Sequence, residues 1–180
     1  HEMIKEYKGE VLRMALLSAH YRQPLNWTRG IIKQNSTMLD RLYRTLKDLE
    51  HIDAYTNNHA LPQNILEGFY DDLNTPKVIA ELNILTNKVS KADEEEKSLI
   101  KYCLLETGKV LGILQQDPRE WLGYGQSKNL DEVTIENLIK ERNEARRKKN
   151  FEMADSIRKK LKESGIEIED TSDGTIWRSN

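Results

Sequence analysis

Apolar residues recur three and four positions apart in the stretch from 31 to 49. Residues with that spacing lie on one face of an α-helix, whereas a strand would bury alternate residues. The stretch therefore predicts a long amphipathic helix whose seam suits packing in a helical bundle. The seam consists of Ile32, Asn35, Leu39, Leu42, Leu46 and Leu49, flanked by Ile31, Met38 and Tyr43.

Shorter stripes of the same kind flank this helix. Val11 to Ala19 predicts a helix that ends before Pro24, and Ile65 to Tyr70 predicts a short one. Apolar positions from Val78 to Val89 and from Leu99 to Leu114 predict two more helices. The front of the chain therefore predicts an antiparallel helical bundle.

Polar, proline and glycine residues predict where these helices begin and end. Thr75 before Pro76 predicts an N-cap followed by proline in the first helical turn. The polar run from Ser90 to Glu96 predicts a connection, and Gly112 falls inside the last apolar pattern, where it weakens the final turn.

The last fifty residues combine a helical pattern with a strand pattern. Two short helical stripes are separated by Asn150, which we predict to take the left-handed conformation that ends the first, and Gly165 ends the second in the same way. Ile166 and Ile168 then alternate with acidic residues, and Asp173-Gly174 is a strong hairpin turn signal. A helical hairpin followed by a β-hairpin is predicted.

These elements predict a mainly α protein made of two domains. An antiparallel helical bundle is expected over 1–120 and the small helical-hairpin plus β-hairpin domain over 131–180. The glycine-rich and polar residues of 121–130 are typical of a linker.

Composition excludes disulfide-bonded, zinc-cluster and membrane-spanning classes of protein. The chain is 37% hydrophobic and 32% charged with a formal net charge of −2, yet basic residues are in clear excess between 138 and 162. The single Cys103 excludes an internal disulfide and a Cys/His zinc cluster, which suits a cytoplasmic protein. No apolar run is long enough for a membrane span, so we expect no membrane partner. A chain that begins with His1 is either processed or part of a longer protein.

Motifs for catalysis are missing. The sequence has no glycine-rich phosphate loop, no HExxH pair and no GxSxG elbow, so we assign no catalytic residue and no metal ligand. The pair Asp71 and Asp72 could act as acid and base, but capping and turn roles are favoured beside a proline-started helix. The run from Ser18 to Thr28 favours packing of a helix corner over contact with a neighbouring domain or a phosphate.

The basic hairpin near the end of the chain favours nucleic-acid binding. Arg147, Lys148 and Lys149 can neutralise phosphates, while Arg146 and Asp155 offer directional hydrogen bonds to base edges. Two aromatic residues are candidates for base stacking, Phe151 and Trp177, and for Trp177 a place in the hairpin core is favoured. The plain alternatives are a solvated basic face and a pairing of Asp155 with Lys159 one turn on.

Three segments carry a family resemblance. In order they are GEVLRMALLSAHYRQPLNWT, FYDDLNTP and ERNEARRKKNFEMADSIRKKLKESGIEIEDTSDGTIWR. Together they resemble the carboxy-terminal, tRNA-binding part of bacterial cysteinyl-tRNA synthetases, which are class I cysteine–tRNA ligases. The resemblance implies that the bundle contacts the tRNA body and that the terminal domain recognises the anticodon.

The same resemblance implies that catalysis belongs to another domain and that this chain binds tRNA. The HIGH and KMSKS signatures for ATP and the zinc ligands are absent, so ATP and zinc would belong to an upstream catalytic domain, and this chain alone is expected to be inactive and without a cofactor. Its expected partners are the tRNA for cysteine and that catalytic domain, in a monomer. By resemblance the residues that contact the anticodon are Arg146, Asp155 and Asp170, while Phe151 stands where the family often has tryptophan.

Two other interpretations remain. Ligases that join cysteine to a sugar amine resemble the synthetase core but have no use for an anticodon domain. The run EARRKKNFEMADSIRKKL also resembles the helical hairpin through which nucleotide-excision-repair subunits bind each other, which would make the chain a protein-interaction module. That second likeness covers the hairpin alone.

Overall fold

The computed structural model describes residues 3–55, 60–123, 130–171 and 174–179. The fold is mainly α, as predicted, and divides into two compact units, His1–Pro118 and Arg119–Asn180. This division falls near the domain boundary that we placed at 120. Of the proposed linker, residues 121–123 are buried and 124–129 lie outside the described residues.

The first unit is built from helices. Its long central helix α3 buries the predicted seam, and Thr28 caps it by accepting a hydrogen bond from the backbone N–H of Ile31 at 3.3 Å. The elements of this part are α1 (Met3–Glu6), α2 (Gly9–Leu17), α3 (Arg29–Asp48), α4 (Gln63–Tyr70), α5 (Thr75–Lys88), a 3-10 helix (Val89–Lys91) and α6 (Glu94–Leu111). A short helix α7 (Pro118–Trp121) begins at the last residue of the first unit and continues into the second.

A buried carboxylate ties the segment after α6 to α2 and α3. Tyr43 donates its hydroxyl hydrogen to Glu10 Oε2 at 2.6 Å, and the backbone N–H of Gln115 donates to Glu10 Oε1 at 3.2 Å. The N–H of Gln116 in turn donates to the Tyr43 hydroxyl oxygen at 3.2 Å. Burial raises the pKa of Tyr43, so the phenol stays neutral and keeps its donor.

The start of α5 differs from our prediction. Asn74 is the N-cap, because its side chain accepts from the N–H of Lys77 at 3.2 Å. Thr75 is already helical, and its hydroxyl donates to the carbonyl of Leu17 at 2.7 Å, satisfying an orphan acceptor at the end of α2. A long-range hydrogen bond thus decides which of two adjacent capping residues caps the helix.

The boundaries of α6 also differ from prediction. The connection before it is shorter than Ser90 to Glu96, because Asp93 and Glu96 form a capping box and the helix begins at Glu94. At the other end Gly112 adopts a left-handed conformation with φ 68° and ends the helix after Leu111. Leu114 therefore lies beyond the helix, although it is buried.

Gly68 allows close packing of α4 on α5. A β-carbon at this position would lie 2.6 Å from Val78 Cγ2 and 3.3 Å from the backbone nitrogen of Val78. We expect Gly68→Ala to lower the free energy of unfolding by about 1–3 kcal/mol through overpacking, measured by urea denaturation. The matched control is Gly30→Ala in α3, where the nearest atom is 3.7 Å away and no loss is expected. An equal effect of both substitutions would contradict the packing argument.

The second unit packs two helices on a two-stranded antiparallel sheet. Its elements are α8 (Glu132–Arg147), α9 (Phe151–Glu163), β1 (Ile166–Thr171) and β2 (Gly174–Ser179). The helical stripes and the β-hairpin follow the sequence prediction, although Asp173 of the predicted turn lies outside the described residues. The core consists of Ile135, Ile139, Ile157, Leu161, Ile166 and Trp177.

The turn between α8 and α9 has a different left-handed residue from the one we predicted. Lys149 has φ 58°, and the N–H groups of Lys149 and Asn150 donate to Arg146 and Ala145 carbonyls at 3.0 and 2.9 Å. Asn150 instead caps α9 by accepting from the N–H of Met153 at 3.2 Å. Gly165 is left-handed after α9, as predicted, with φ 78°.

Candidate nucleic-acid interface

The apolar stripe of α8 continues into two arginines. Ile135, Ile139, Arg142 and Arg146 are spaced by four, three and four residues, so they share one face of the helix. The first two belong to the core, and Arg142 follows them into the interior with only 4% of its surface exposed. The guanidinium therefore needs a partner close to the core.

The β-hairpin supplies that partner. Asp170 pairs with Thr175 across the strands, two positions along from the pair Ile168 and Trp177. Alternate residues of a strand share a face, so Asp170 and Thr175 lie on the core side of the sheet, at the end away from Ile166. There the apolar stripes of the sheet and of α8 both give way to polar groups.

Arg142 and Asp170 form a bidentate ion pair. Nη1 of Arg142 donates to Oδ1 of Asp170 and Nη2 donates to Oδ2, both at 2.8 Å. The Thr175 hydroxyl lies 2.8 Å from the same Oδ1 as a further donor. Two parallel N–H···O bonds fix both the position and the plane of the carboxylate.

Arg146 approaches the same carboxylate from the solvent side. Its Nη1 lies 2.5 Å from Asp170 Oδ2, and about half of the side chain is exposed on each residue, 49% and 43%. Two of the three residues assigned to the anticodon are thus paired with each other. We call Arg142, Arg146, Asp170 and Thr175 the carboxylate cluster.

The electrostatics of the cluster favour ionised partners. The Arg142 guanidinium, with help from Thr175 and Arg146, holds the pKa of Asp170 well below its usual range. Its hydrogen bonds to Asp170 raise the pKa of Arg142, and the nearby charge of Asp155 adds to that effect. Arg146 and Asp170 therefore contact each other beside Arg142, and the charge of Asp155 also acts on the Arg142 guanidinium.

Asp155 differs from Asp170 in its hydrogen bonding. It is exposed on α9, and no hydrogen bond or ion pair joins it to another residue in the part of the chain that the structure describes. The pairing with Lys159 that we considered is therefore not formed, and Lys159 lies 3.9 Å from Glu163 instead. A carboxylate with both oxygens open can accept two hydrogen bonds from a base edge.

The two candidate stacking residues are placed differently. Trp177 is 6% exposed and packed in the core, the role that the sequence favoured for it. Phe151 is 61% exposed at the start of α9, four residues before Asp155 and on the same helix face. An exposed ring and an open carboxylate thus share one face of α9.

The predicted phosphate-binding residues lie at the turn between the two helices. Arg147, Lys148 and Lys149 are all exposed there, and Arg147 has Glu144 one turn back at 3.9 Å. Cations at the end of α8 also offset the negative end of its helix dipole. Their position next to Phe151 brings positive charge to the exposed ring.

A second polar cluster lies in the first unit. The Tyr21 hydroxyl donates to Asp72 Oδ1 at 2.7 Å and Arg22 Nε lies 2.9 Å from Asp72 Oδ2, while the His20 ring stacks on Tyr21 at 4.9 Å. Asp71 accepts from Asn74 at 3.0 Å. The aspartates therefore serve a turn and a helix corner, the roles that the sequence favoured.

Sequence reasoning missed Arg142 and Thr175. Arg142 was counted with the basic excess, although its spacing from Ile135 and Ile139 places it on the buried face. A charged residue on a core stripe signals a buried ion pair, because such a charge is rarely left unpaired. Thr175 carries no such signal, since its partner follows from the hairpin register.

Two known families match this arrangement. Residues 132–178 match the cysteinyl-tRNA ligase anticodon binding domain, and residues 67–115 match the DALR domain. Most of the second unit, with its basic turn and carboxylate cluster, thus matches an anticodon-binding domain of the tRNA-ligase class.

Similar whole proteins narrow the class to one family. The chain is 43% identical to a cysteine–tRNA ligase of Parvibaculum lavamentivorans over 180 residues and 41% identical to one of Xanthomonas campestris pv. campestris over 179. Each comparison covers 99% of this chain, and the chain spans 38% of the length of those relatives. Over almost its whole length the chain is therefore similar to cysteine–tRNA ligases, and residues 132–178 match the anticodon-binding domain of that family.

The described residues provide neither a membrane span nor a cluster of side chains for a metal ion. No helix there has the length and apolar character needed to cross a bilayer. Nor do His, Cys, Asp and Glu side chains gather there in groups of three or more that could hold a metal ion.

Proposed function

We propose that this chain is the tRNA-binding part of a cysteine–tRNA ligase and that its second unit recognises the anticodon. The observation that carries the proposal is the ion-paired cluster of Arg146 and Asp170 on the buried Arg142, whose guanidinium also feels the charge of Asp155. These groups lie within residues 132–178, which match an anticodon-binding family. A fixed donor and fixed acceptors beside an exposed ring suit recognition of unstacked bases.

The three residues have different roles in this proposal. Asp155 accepts hydrogen bonds from a base edge, because its oxygens are open. Arg146 donates to a base, because its described hydrogen bond uses Nη1 and leaves the other guanidinium nitrogens available as donors. Asp170 contacts the anticodon at the exposed side of its carboxylate, where Arg146 now binds.

The surrounding residues supply sequence-independent affinity. Phe151 stacks on a base, and Arg147, Lys148 and Lys149 bind phosphates. Phosphate contacts of this kind are weakened by salt and do not distinguish bases. Discrimination therefore depends on the carboxylates and on Arg146.

The first unit has a positioning role in this proposal. Its helical bundle, which includes the DALR match, contacts the tRNA body and sets the distance from an upstream catalytic domain of the same protein. ATP and zinc belong to that domain, and the ligase acts in the cytoplasm as a monomer. This chain contributes tRNA binding and no chemical step.

The proposal is tested by binding the 180-residue chain to RNA stem-loops at one stated salt concentration. A stem-loop with a GCA anticodon is expected to bind roughly tenfold more tightly than stem-loops with single anticodon changes. Asp155→Asn is expected to remove most of that preference, because an amide presents one acceptor where the carboxylate presents two. Fluorescence anisotropy with labelled RNA measures both quantities.

The matched control is Glu163→Gln at the far end of α9, which also removes one exposed negative charge. It is expected to keep the preference. Equal affinity of the unmutated chain for all stem-loops would refute anticodon recognition and favour the alternative, a protein-interaction module built on the helical hairpin.

A further inference from the structure

We propose that Arg142 is a positioning residue for anticodon recognition, which fixes the Asp170 carboxylate and, through it, Arg146. The inference rests on the proposed function of the second unit. Arg142 itself contacts no base, because its guanidinium is enclosed by the protein. It sets the geometry of Asp170 and Arg146, which do contact bases.

Arg142 is buried, whereas the two residues that it positions are partly exposed. Arg142 is 4% exposed, whereas the side chains of Asp170 and Arg146 are 43% and 49% exposed. The short aspartate side chain stands on a two-stranded sheet, and both of its oxygens are bonded to the interior arginine at 2.8 Å. The buried Arg142 therefore fixes the orientation of the exposed carboxylate.

The hydrogen-bonding capacity of Asp170 is fully used in the structure. A carboxylate offers about four acceptor sites. Arg142 fills two of them and Arg146 one, and the single hydrogen of the Thr175 hydroxyl fills another at 2.8 Å, closer than its other acceptor, Asn143 Oδ1, at 3.1 Å. A base can bind this carboxylate only if a donor leaves, and Arg146 is the donor that faces solvent.

Arg146 is therefore bound to the Asp170 carboxylate, and Arg142 fixes the position of that carboxylate. When RNA binds, Arg146 either keeps its Nη1 on Asp170 and uses the rest of its fork on a base, or exchanges Asp170 for the RNA. Both routes need the carboxylate to stay in one plane. A planar fork maintains that plane, and the single ammonium of lysine does not.

An ordinary structural role makes a different prediction. If Arg142 only stabilised the small domain, its replacement would lower stability and leave the ratio of affinities for matched and mismatched anticodons unchanged. A positioning role changes that ratio in protein that is still folded. It leaves the salt dependence unchanged, because Arg142 neutralises no phosphate.

The experiment compares the unmutated 180-residue chain with Arg142→Lys. Dissociation constants are measured for the GCA stem-loop and for single-change stem-loops across a salt series, with circular dichroism to confirm folding. We expect Arg142→Lys to lose the roughly tenfold preference for GCA. The slope of log affinity against log salt is expected to be that of the unmutated chain.

Two further variants complete the test. Arg119→Lys makes the same change in an exposed ion pair with Glu132, a pair to which we assign no contact with RNA, and is expected to keep the preference. Thr175→Val removes the hydroxyl donor to Asp170 Oδ1 without changing side-chain size, and a several-fold loss of preference is expected. Thr175→Val decides the outcome if Arg142→Lys does not fold.

The outcomes separate this inference from the function on which it rests. An unmutated chain with no anticodon preference overturns the proposed function and this inference together. An unmutated chain with the preference, beside a folded Arg142→Lys that retains it, overturns the positioning role alone. Retention by Thr175→Val has the same meaning where Arg142→Lys is unfolded.

Discussion

Replacement of Trp177 by alanine is expected to unfold the second unit. The ring is 6% exposed and lies in a core of six residues within the small unit Arg119–Asn180. Removal of a buried tryptophan costs about 3–5 kcal/mol, and that is comparable to the whole stability of a domain of this size. Hydrogen exchange should show loss of protection in α8 and α9 while α3 of the first unit remains protected.

Phe151→Ala is the matched comparison. Because Phe151 is 61% exposed, its removal should change the unfolding free energy by less than about 0.5 kcal/mol. If it stacks on a base, RNA affinity should fall by about 1–3 kcal/mol in the same variant. A folded Trp177→Ala that loses only RNA binding would reverse the roles assigned to these two rings.

Asp170→Asn is expected to destabilise the second unit through Arg142. The substitution leaves a nearly buried guanidinium with a neutral amide where a carboxylate accepted two hydrogen bonds. Hydrogen bonds to charged groups contribute about 1.5–3 kcal/mol, and partial exposure of Asp170 screens the pair, so we expect a loss of about 1–2 kcal/mol at neutral pH. Chemical denaturation followed by circular dichroism measures it.

The pH dependence of that loss has a definite sign. The pKa of Asp170 is depressed in the folded chain, whereas the pKa of an unfolded aspartate is about 3.9. The stabilisation is therefore fully present above the unfolded value and disappears as pH falls toward the folded value. The difference between the unmutated chain and Asp170→Asn should be constant from neutral pH to about pH 5 and shrink below it.

Asp155→Asn serves as the control for this experiment. Its carboxylate is exposed and forms no hydrogen bond or ion pair with a described residue. The substitution should leave the unfolding free energy nearly unchanged across the same pH range. A gap that widens on acidification in Asp170→Asn would show that the ion pair is not what stabilises the domain.

Local pattern predicted the elements of this fold well. The seam of α3, the stripes of α8 and α9 and the alternation in β1 turn the residues that their period indicates toward the core, with Leu138 and Ile168 only partly buried. Periodicity is a property of one element, and burial of one face follows from it without knowledge of the partner. The assignment to the mainly α class followed directly.

Helix boundaries were less predictable. Asn74 and Thr75 can both cap a helix, and Lys149 and Asn150 can both adopt a left-handed conformation at some cost. The hydrogen bond from Thr75 to the carbonyl of Leu17 settled the first choice, and the turn geometry between α8 and α9 settled the second. Local preference therefore did not decide between neighbouring residues, and contacts with the rest of the chain did.

The sequence by itself determined the helices, the apolar faces, the basic turn and the family resemblance, because each depends on residue order within one segment. Tertiary structure alone decided that Arg142 is buried beneath Asp170 and that Arg146 binds the same carboxylate. Those contacts require the register of the β-hairpin and the orientation of α8 over it. Sequence spacing places a residue on a face, and only packing of the elements decides which faces meet.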